Sequence, residues 1–364
     1  SFFAHSEAVN IAALPPYIYH NFISNAQFIV PWGGYIHGRF KNRFFLAEKP
    51  GSEDSSSNLV ELGFAPGSSG CICQCISFSF KKLPSVALKC LCLFKAAYSS
   101  GTPAYGVGAG NPVIIVADDA DLTDAAKKIT LSKTFDYATS CSSDNSIVIH
   151  SSMYDRMIDA FEEQGGYLCT AEQRDVLEAH MWQPNPKTGK VALNINIVAQ
   201  SAEKIASDAG LEVPEGTRML MVEGDLPEQG HWSGEKLSPV MTLWQYETIE
   251  EAIEIATKLT RYAGEGHSVG IYTSRDEDIE KLALAMKTSR IMVRQAHAPS
   301  CGGNFHNRMP STTTLGCGTW GGNITTENIY WKHFINVTWV SRPIKPEKPT
   351  YEDMFGPLWN KYGL

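Results

Sequence analysis

The run Val113-Ile114-Ile115-Val116 constrains this chain more than any other stretch. Four apolar, β-branched residues in a row fit a short buried strand, and a strand of that kind needs helices to cover it. The acids Asp118 and Asp119 follow, and then a helical period from Leu122 to Lys133. The same alternation continues downstream. Ser146–His150 reads as a strand, and Tyr154–Gln164 as a helix closed by Gly165-Gly166. Helices at Ser201–Ala209, Ile249–Tyr262 and Asp278–Thr288 interleave with strands at Arg218–Val222, Val240–Trp244, Ser268–Tyr272 and Arg290–Val293. Strands alternating with helices imply an α/β fold, a sheet covered by helices. At the end of the chain, His333–Ile344 reads as a strand, and Pro343, Pro346 and Pro349 lead into an exposed tail.

The first 94 residues do not follow this pattern. They hold Pro15-Pro16, a polar run over Ser52–Ser57, Gly67-Ser68-Ser69-Gly70 and a cysteine-rich patch, with no sustained helical period. A divergent domain, an unrelated segment and a translation artefact all remain open for them. The 364 residues suffice for two cored domains, and 43% hydrophobic against 19% charged residues excludes a disordered chain. A formal net charge of -8 argues against nucleic acid or an anionic membrane as partner. No apolar run reaches the roughly 20 residues that span a bilayer, and the N-terminus does not read as a signal peptide. Nine cysteines without regular spacing make a poor disulfide framework and point to a reducing cytoplasm. Cys71-x-Cys73-x-Cys75 and Cys90-x-Cys92 are spaced too tightly for structural zinc, so no metal is expected.

Cys141 stands in the polar loop Thr139-Ser140-Cys141-Ser142-Ser143-Asp144-Asn145, between a helix and a strand. A thiol there suits a nucleophile, because loops on a rigid scaffold present reactive groups and a polar turn stabilises thiolate. By itself the loop leaves a buried, inert cysteine open, the default for a lone Cys. Its companions are Gly106-Val107-Gly108-Ala109-Gly110-Asn111, Glu235-Lys236-Leu237-Ser238-Pro239, Gly264-Glu265-Gly266-His267-Ser268 and Thr314-Leu315-Gly316-Cys317-Gly318-Thr319-Trp320-Gly321-Gly322-Asn323. In this order and spacing, over about residues 95–364, the blocks resemble the coenzyme A-acylating branch of the aldehyde dehydrogenase superfamily.

That resemblance implies an enzyme oxidising a small aldehyde with NAD or NADP and passing the acyl group to coenzyme A. Cys141 matches the nucleophile that carries the thioester, with its own backbone N–H in the oxyanion hole. Glu235 matches the acid that bonds the nicotinamide ribose, and Gly108, Gly110, Gly316 and Gly318 fall in the cofactor-binding loops. His267 lies in a family motif, with a structural and a catalytic role both open. Tyr105–Gly110 lacks the glutamate with which hydrolytic relatives activate water, a loss of roughly 10²–10⁴ for water attack. The resemblance divides the chain into an atypical segment 1–94, part of a divergent Rossmann-like cofactor domain at 95–136 and a catalytic domain at 137–308. A return to the cofactor domain at 309–332 and an oligomerisation strand and tail at 333–364 follow, so a homo-dimer or tetramer is expected.

The G-x-G-x-x-G of Gly316–Gly321 is rejected as a dinucleotide fingerprint because no βαβ unit follows it. Arg294, His297 and His306 suit either an anionic aldehyde or an ordinary surface. Two alternatives stay open. A glyceraldehyde-phosphate dehydrogenase-like enzyme also uses a Ser-Cys loop, though it needs an N-terminal glycine fingerprint. A truncated, catalytically impaired paralogue is the other, since little in residues 1–94 offers an adenosine pocket; it would bind NAD weakly.

Overall fold

The computed structural model describes residues 97–101, 103–185 and 189–363, and the backbone of three short strands, Arg43–Phe44, Val60–Glu61 and Ser85–Val86. The cysteine patch and the other readings made on residues 1–94 fall outside that range.

Seven strands form one sheet: β1 (Val113–Val116), β2 (Ser146–His150), β3 (Gly166–Leu168), β4 (Met219–Glu223), β5 (Val240–Tyr246), β6 (Val269–Tyr272) and β7 (Ile291–Val293). Their order is β7-β6-β1-β2-β5-β4-β3 and every pairing is parallel. The expected α/β sheet is therefore present. β1 lies between β2 and β6, so it shares its sheet with strands from the stretch expected to be catalytic.

Alternation across the strands divides the core into two faces. Ile114, Val116, Ile147, Ile149, Met219, Met221, Met241 and Leu243 pack under α1 (Leu122–Thr134) and α2 (Tyr154–Glu162). On the other face Val113, Ile115, Val148, Trp244 and Ile271 meet α5 (Ile249–Tyr262) and α6 (Asp276–Ala285). Further along that sheet, Leu220, Val222 and Val240 meet α3 (Ala171–Met181) and α4 (Ala202–Asp208). Each fully buried Ile, Val, Leu or Met contributes roughly 1.5–3 kcal/mol of burial. The side chain of Asp121 caps α1 by accepting from Asp124 N at 3.1 Å. A last short helix, α7 (His297–Cys301), follows β7.

Between α1 and the Cys141 loop the chain makes a left-handed turn. Asp136, Tyr137 and Ala138 take φ values of 56°, 48° and 58°. Three side-chain-bearing residues in this region cost roughly 1–2 kcal/mol each. Thr139 Oγ1 donates to both Asp136 O and Asp136 Oδ2, at 2.9 and 2.8 Å, which ties the turn off.

Residues 335–364 form a separate compact unit. The strand expected over His333–Ile344 is corrected here: Trp331–Phe334 is a 3-10 turn, and residues 335–350 contain no strand. A strand exists only with a ladder partner, none is present among the described residues, and Pro343, Pro346 and Pro349 offer no N–H. The tail is also more ordered than expected. Thr350 and Asp353 form a capping box that starts α8 (Tyr351–Tyr362), along which Tyr351, Phe355 and Trp359 line up with ring centroids 6.3 and 5.9 Å apart. No helix among the described residues is long and apolar enough to cross a membrane.

Candidate active site

Segments far apart in the sequence meet at the amino-terminal edge of the sheet. Gly110-Asn111 leads into β1, Cys141–Asn145 into β2, Glu235–Pro239 into β5, His267-Ser268 into β6 and Arg290 into β7. Neighbouring parallel strands bring their entry loops side by side, so residues more than a hundred positions apart become adjacent.

Cys141 is 6% exposed and lies in a turn closed by Ser143 N donating to Ser140 O at 3.0 Å. His267 Nε2 stands 3.1 Å from Cys141 Sγ. On its other side, His267 Nδ1 is 2.7 Å from Ser268 Oγ, and that oxygen is 2.8 Å from His297 Nε2. Arg290 fixes the backbone beneath. Its guanidinium donates to His267 O at 3.1 Å, Asn328 Oδ1 at 2.9 Å and Thr326 O at 3.2 Å. Burial lowers its pKa, opposed by the nearby Cys301, Cys317 and Cys141, yet an arginine keeps its charge at neutral pH.

The other buried cysteines behave differently. Burial pushes the thiols of Cys169 and Cys317 up to about 11 and that of Cys301 up to about 12, so all three stay protonated at neutral pH. Only Cys141 has an imidazole nitrogen within hydrogen-bond distance of its sulfur among the described residues.

A buried polar layer holds the loop from below. Lys236 Nζ donates to Asn145 O, Trp232 O and Gly234 O at 3.1, 2.9 and 3.0 Å. Lys133 Nζ reaches Asn145 Oδ1 at 3.4 Å. Burial takes Lys133 down to about 7 and lowers Lys236, while it pushes Asp144 up to about 8. Ser142 Oγ donates to Ala298 O at 3.1 Å and Ala298 N donates to Ser132 Oγ at 2.7 Å, tying α7 to the loop.

The expected glycines serve close packing. A β-carbon on Gly110 would lie 2.7 Å from the Cys141 carbonyl carbon and 2.9 Å from its Cβ; on Gly108 it would meet Cys317 Sγ at 3.1 Å. Gly316 and Gly318 stand further off. Their N–H groups donate to Glu327 O and Thr325 O at 3.0 and 2.9 Å, and Gly318 uses a φ of 61°. Glu235 is half-buried, with its carboxylate acting on Lys133 and Lys236. His297 is buried in the site, whereas Arg294 and His306 are exposed. Ser268 and Arg290 were not singled out from the sequence, and nothing local marks them: each reaches the site by strand pairing.

Comparison with known proteins gives a consistent picture. The profile of the aldehyde dehydrogenase family matches residues 95–306. A sulfoacetaldehyde dehydrogenase (acylating) from Bilophila wadsworthia is 54% identical over 270 residues, 74% of this chain and 58% of that protein. A succinate-semialdehyde dehydrogenase (acetylating) from Clostridium kluyveri is 39% identical over 265 residues, 72% of this chain and 57% of its own. Among solved structures, an acetylating aldehyde dehydrogenase from Geobacillus thermoglucosidasius superposes with a TM-score of 0.63 at 33% identity, covering 70% of this chain and 55% of that one. The chain spans a little over half the length of these curated relatives.

Proposed function

The chain belongs to the aldehyde dehydrogenase family, and from that premise we propose that it oxidises a small aldehyde through a thioester on Cys141 and hands the acyl group to the thiol of coenzyme A. The observation that carries this reading is the 3.1 Å contact between Cys141 Sγ and His267 Nε2.

The chemistry follows from the groups present. His267 takes the thiol proton, and Cys141 Sγ attacks the aldehyde carbon to form a thiohemiacetal. The backbone N–H of Cys141 is the near donor to the new oxyanion. A nicotinamide dinucleotide, when bound, supplies the hydride acceptor that turns this adduct into the thioester. Glu235 fits such a cofactor, because a half-buried carboxylate at this sheet edge is a proper acceptor for ribose hydroxyls. Gly108 and Gly110 line the loop on the other side of Cys141. Once His267 has released its first proton to solvent, the incoming thiol gives its proton to His267 and attacks the thioester carbon, and Cys141 leaves as thiolate. Water is the poorer acceptor, since the Gly106–Gly110 loop packed on Cys141 carries no carboxylate to activate it.

The Cys141→Ala variant abolishes aldehyde-dependent NADH formation, while Cys301→Ala and Cys317→Ala keep most of it. Omitting coenzyme A stalls turnover after about one equivalent of NADH, as deacylation limits. Steady release of free acid without coenzyme A refutes the acyl acceptor, and an active Cys141→Ala variant refutes the nucleophile. Self-association belongs to the same reading: a second copy would give residues 335–340 the ladder partner they lack, and deleting residues 333–364 then shifts sedimentation towards monomer.

A further inference from the structure

Two polar side chains beyond the Cys141–His267 pair are buried in line with it. We propose that Ser268 and His297 are positioning residues that hold His267 in the tautomer able to take the Cys141 proton. The inference rests on the reading of Cys141 as nucleophile.

The line runs Cys141 Sγ, His267 Nε2, His267 Nδ1, Ser268 Oγ and His297 Nε2, with gaps of 3.1, 2.7 and 2.8 Å. His267 is 1% exposed, Ser268 2% and His297 1%, so water does not compete for these contacts. An imidazole accepts a proton at Nε2 only when Nδ1 carries the hydrogen. That hydrogen is donated to Ser268 Oγ. The hydroxyl has one hydrogen of its own, and donating it to His297 Nε2 completes the line. His297 must then stay neutral to accept, and burial, helped by the charges of His267 and Arg290, takes it down to about 3. The proton that leaves Cys141 therefore stays on His267, and no charge passes to His297.

This arrangement leaves the remaining hydrogen of His297 on Nδ1. That atom is buried and has no hydrogen-bond partner among the described residues. Buried N–H groups without acceptors are rare in folded chains, and where one is kept it marks a site that gains something else. Here the gain is a lone pair fixed on the reactive sulfur.

His297 is held in place independently of this line. It begins α7, which Ser142 and Ser132 tie to the Cys141 loop and to α1 through Ala298. The titratable and charged groups facing His267 are few. Cys141 lies ahead of β2, Arg290 ahead of β7 donates to the His267 carbonyl, and Cys301 on α7 reaches Ser268. Cys317 lies beyond, its Sγ beside Gly108. The two outer thiols stay protonated well above neutral pH, so they leave the line undisturbed in the range tested.

The test measures the pH dependence of Cys141 alkylation by iodoacetamide in the full chain, with peptide mass spectrometry as the readout and no aldehyde present. Ser268→Ala and His297→Leu should each move the midpoint up by about one pH unit. Ser268→Thr keeps the hydroxyl and His297→Gln keeps an acceptor, so both should stay at the wild-type midpoint. Unmoved midpoints in Ser268→Ala and His297→Leu overturn the proposal, as do equal shifts in the conservative pair. Nitrogen-15 NMR of histidine-labelled wild-type chain reads the tautomer with no variant to fold. A hydrogen on His267 Nδ1 supports the assignment, and one on Nε2 alone overturns it. Neither measurement needs turnover, so a failed nucleophile assignment shows separately, as dehydrogenase activity surviving Cys141→Ala.

Discussion

Gly110→Ala is a one-carbon change whose consequence can be worked from the packing around Cys141. The added β-carbon would lie 2.7 and 2.9 Å from two carbons of Cys141, where carbon atoms normally rest about 3.5–4.0 Å apart. The neighbours that resist, the Cys141 carbonyl oxygen foremost, are backbone or backbone-attached, so a rotamer change relieves nothing and the two loops must part by more than about 1 Å. Overpacking of this kind costs roughly 1–3 kcal/mol of stability. The larger effect is on geometry: an ångström added near a 3.1 Å contact separates Cys141 Sγ from His267 Nε2. Misplacement on that scale costs about 10²-fold in rate. Gly108→Ala is the milder control, because its β-carbon comes no nearer than 3.1 Å to the Cys317 sulfur and 3.3 Å to its Cβ. Steady-state kinetics with thermal unfolding of both variants decides the matter. A folded Gly110→Ala chain within threefold of wild type would show that this loop does not set the position of Cys141.

Four other outcomes follow from features described above. At pH 7.5, iodoacetamide should label Cys141 before Cys169, Cys301 and Cys317 in the native state, because burial pushes those three up to about 11, 12 and 11; peptide mapping over time checks the order. Tyr137→Gly should stabilise the fold by about 0.5–1 kcal/mol in a thermal melt, since the side chain is exposed and glycine relieves a φ of 48°. Lys236→Met should cost about 1–3 kcal/mol by chemical denaturation, less than three lost hydrogen bonds suggest. Thr242 still donates to Trp232 O and Asn145 O, and the ammonium's own desolvation cost disappears. Burial raises the Asp144 carboxyl to about 8, so folding takes up a proton between about pH 4 and 8 and stability falls as pH rises through that window; Asp144→Asn should flatten this slope in melting curves taken at pH 5 and 8.

The sheet was legible where periodicity is strong. β1, β2 and α5 have the bounds their apolar patterns give, because those residues are buried on the faces the patterns imply. α3 was missed, since among its residues only Leu177 and Met181 are fully buried, although Thr170 and Gln173 spell a capping box that could have marked its start. α8 was hidden by its prolines; Pro357 lies inside the helix, and the signal at Thr350 and Asp353 was again a cap rather than a period. Cys141 stood out only through the companion blocks around it, since its loop alone also suits a buried, inert cysteine. His267 could be placed in a motif but given no role, because 126 positions separate it from Cys141 and only the β1–β6 pairing closes that gap.

That pairing also sets when His267 can meet Cys141 during synthesis. β6 joins the sheet beside β1, so the imidazole cannot reach Cys141 until residues through about 272 have left the ribosome, and Arg290 follows later still. Contacts so distant along the chain form late, after the local α1–α2 layer has had time to condense on β1 and β2. A nascent chain thus carries Cys141 for more than a hundred residues of growth before His267 can join it. Until then Cys141 lacks the imidazole that stands 3.1 Å from its sulfur in the folded chain.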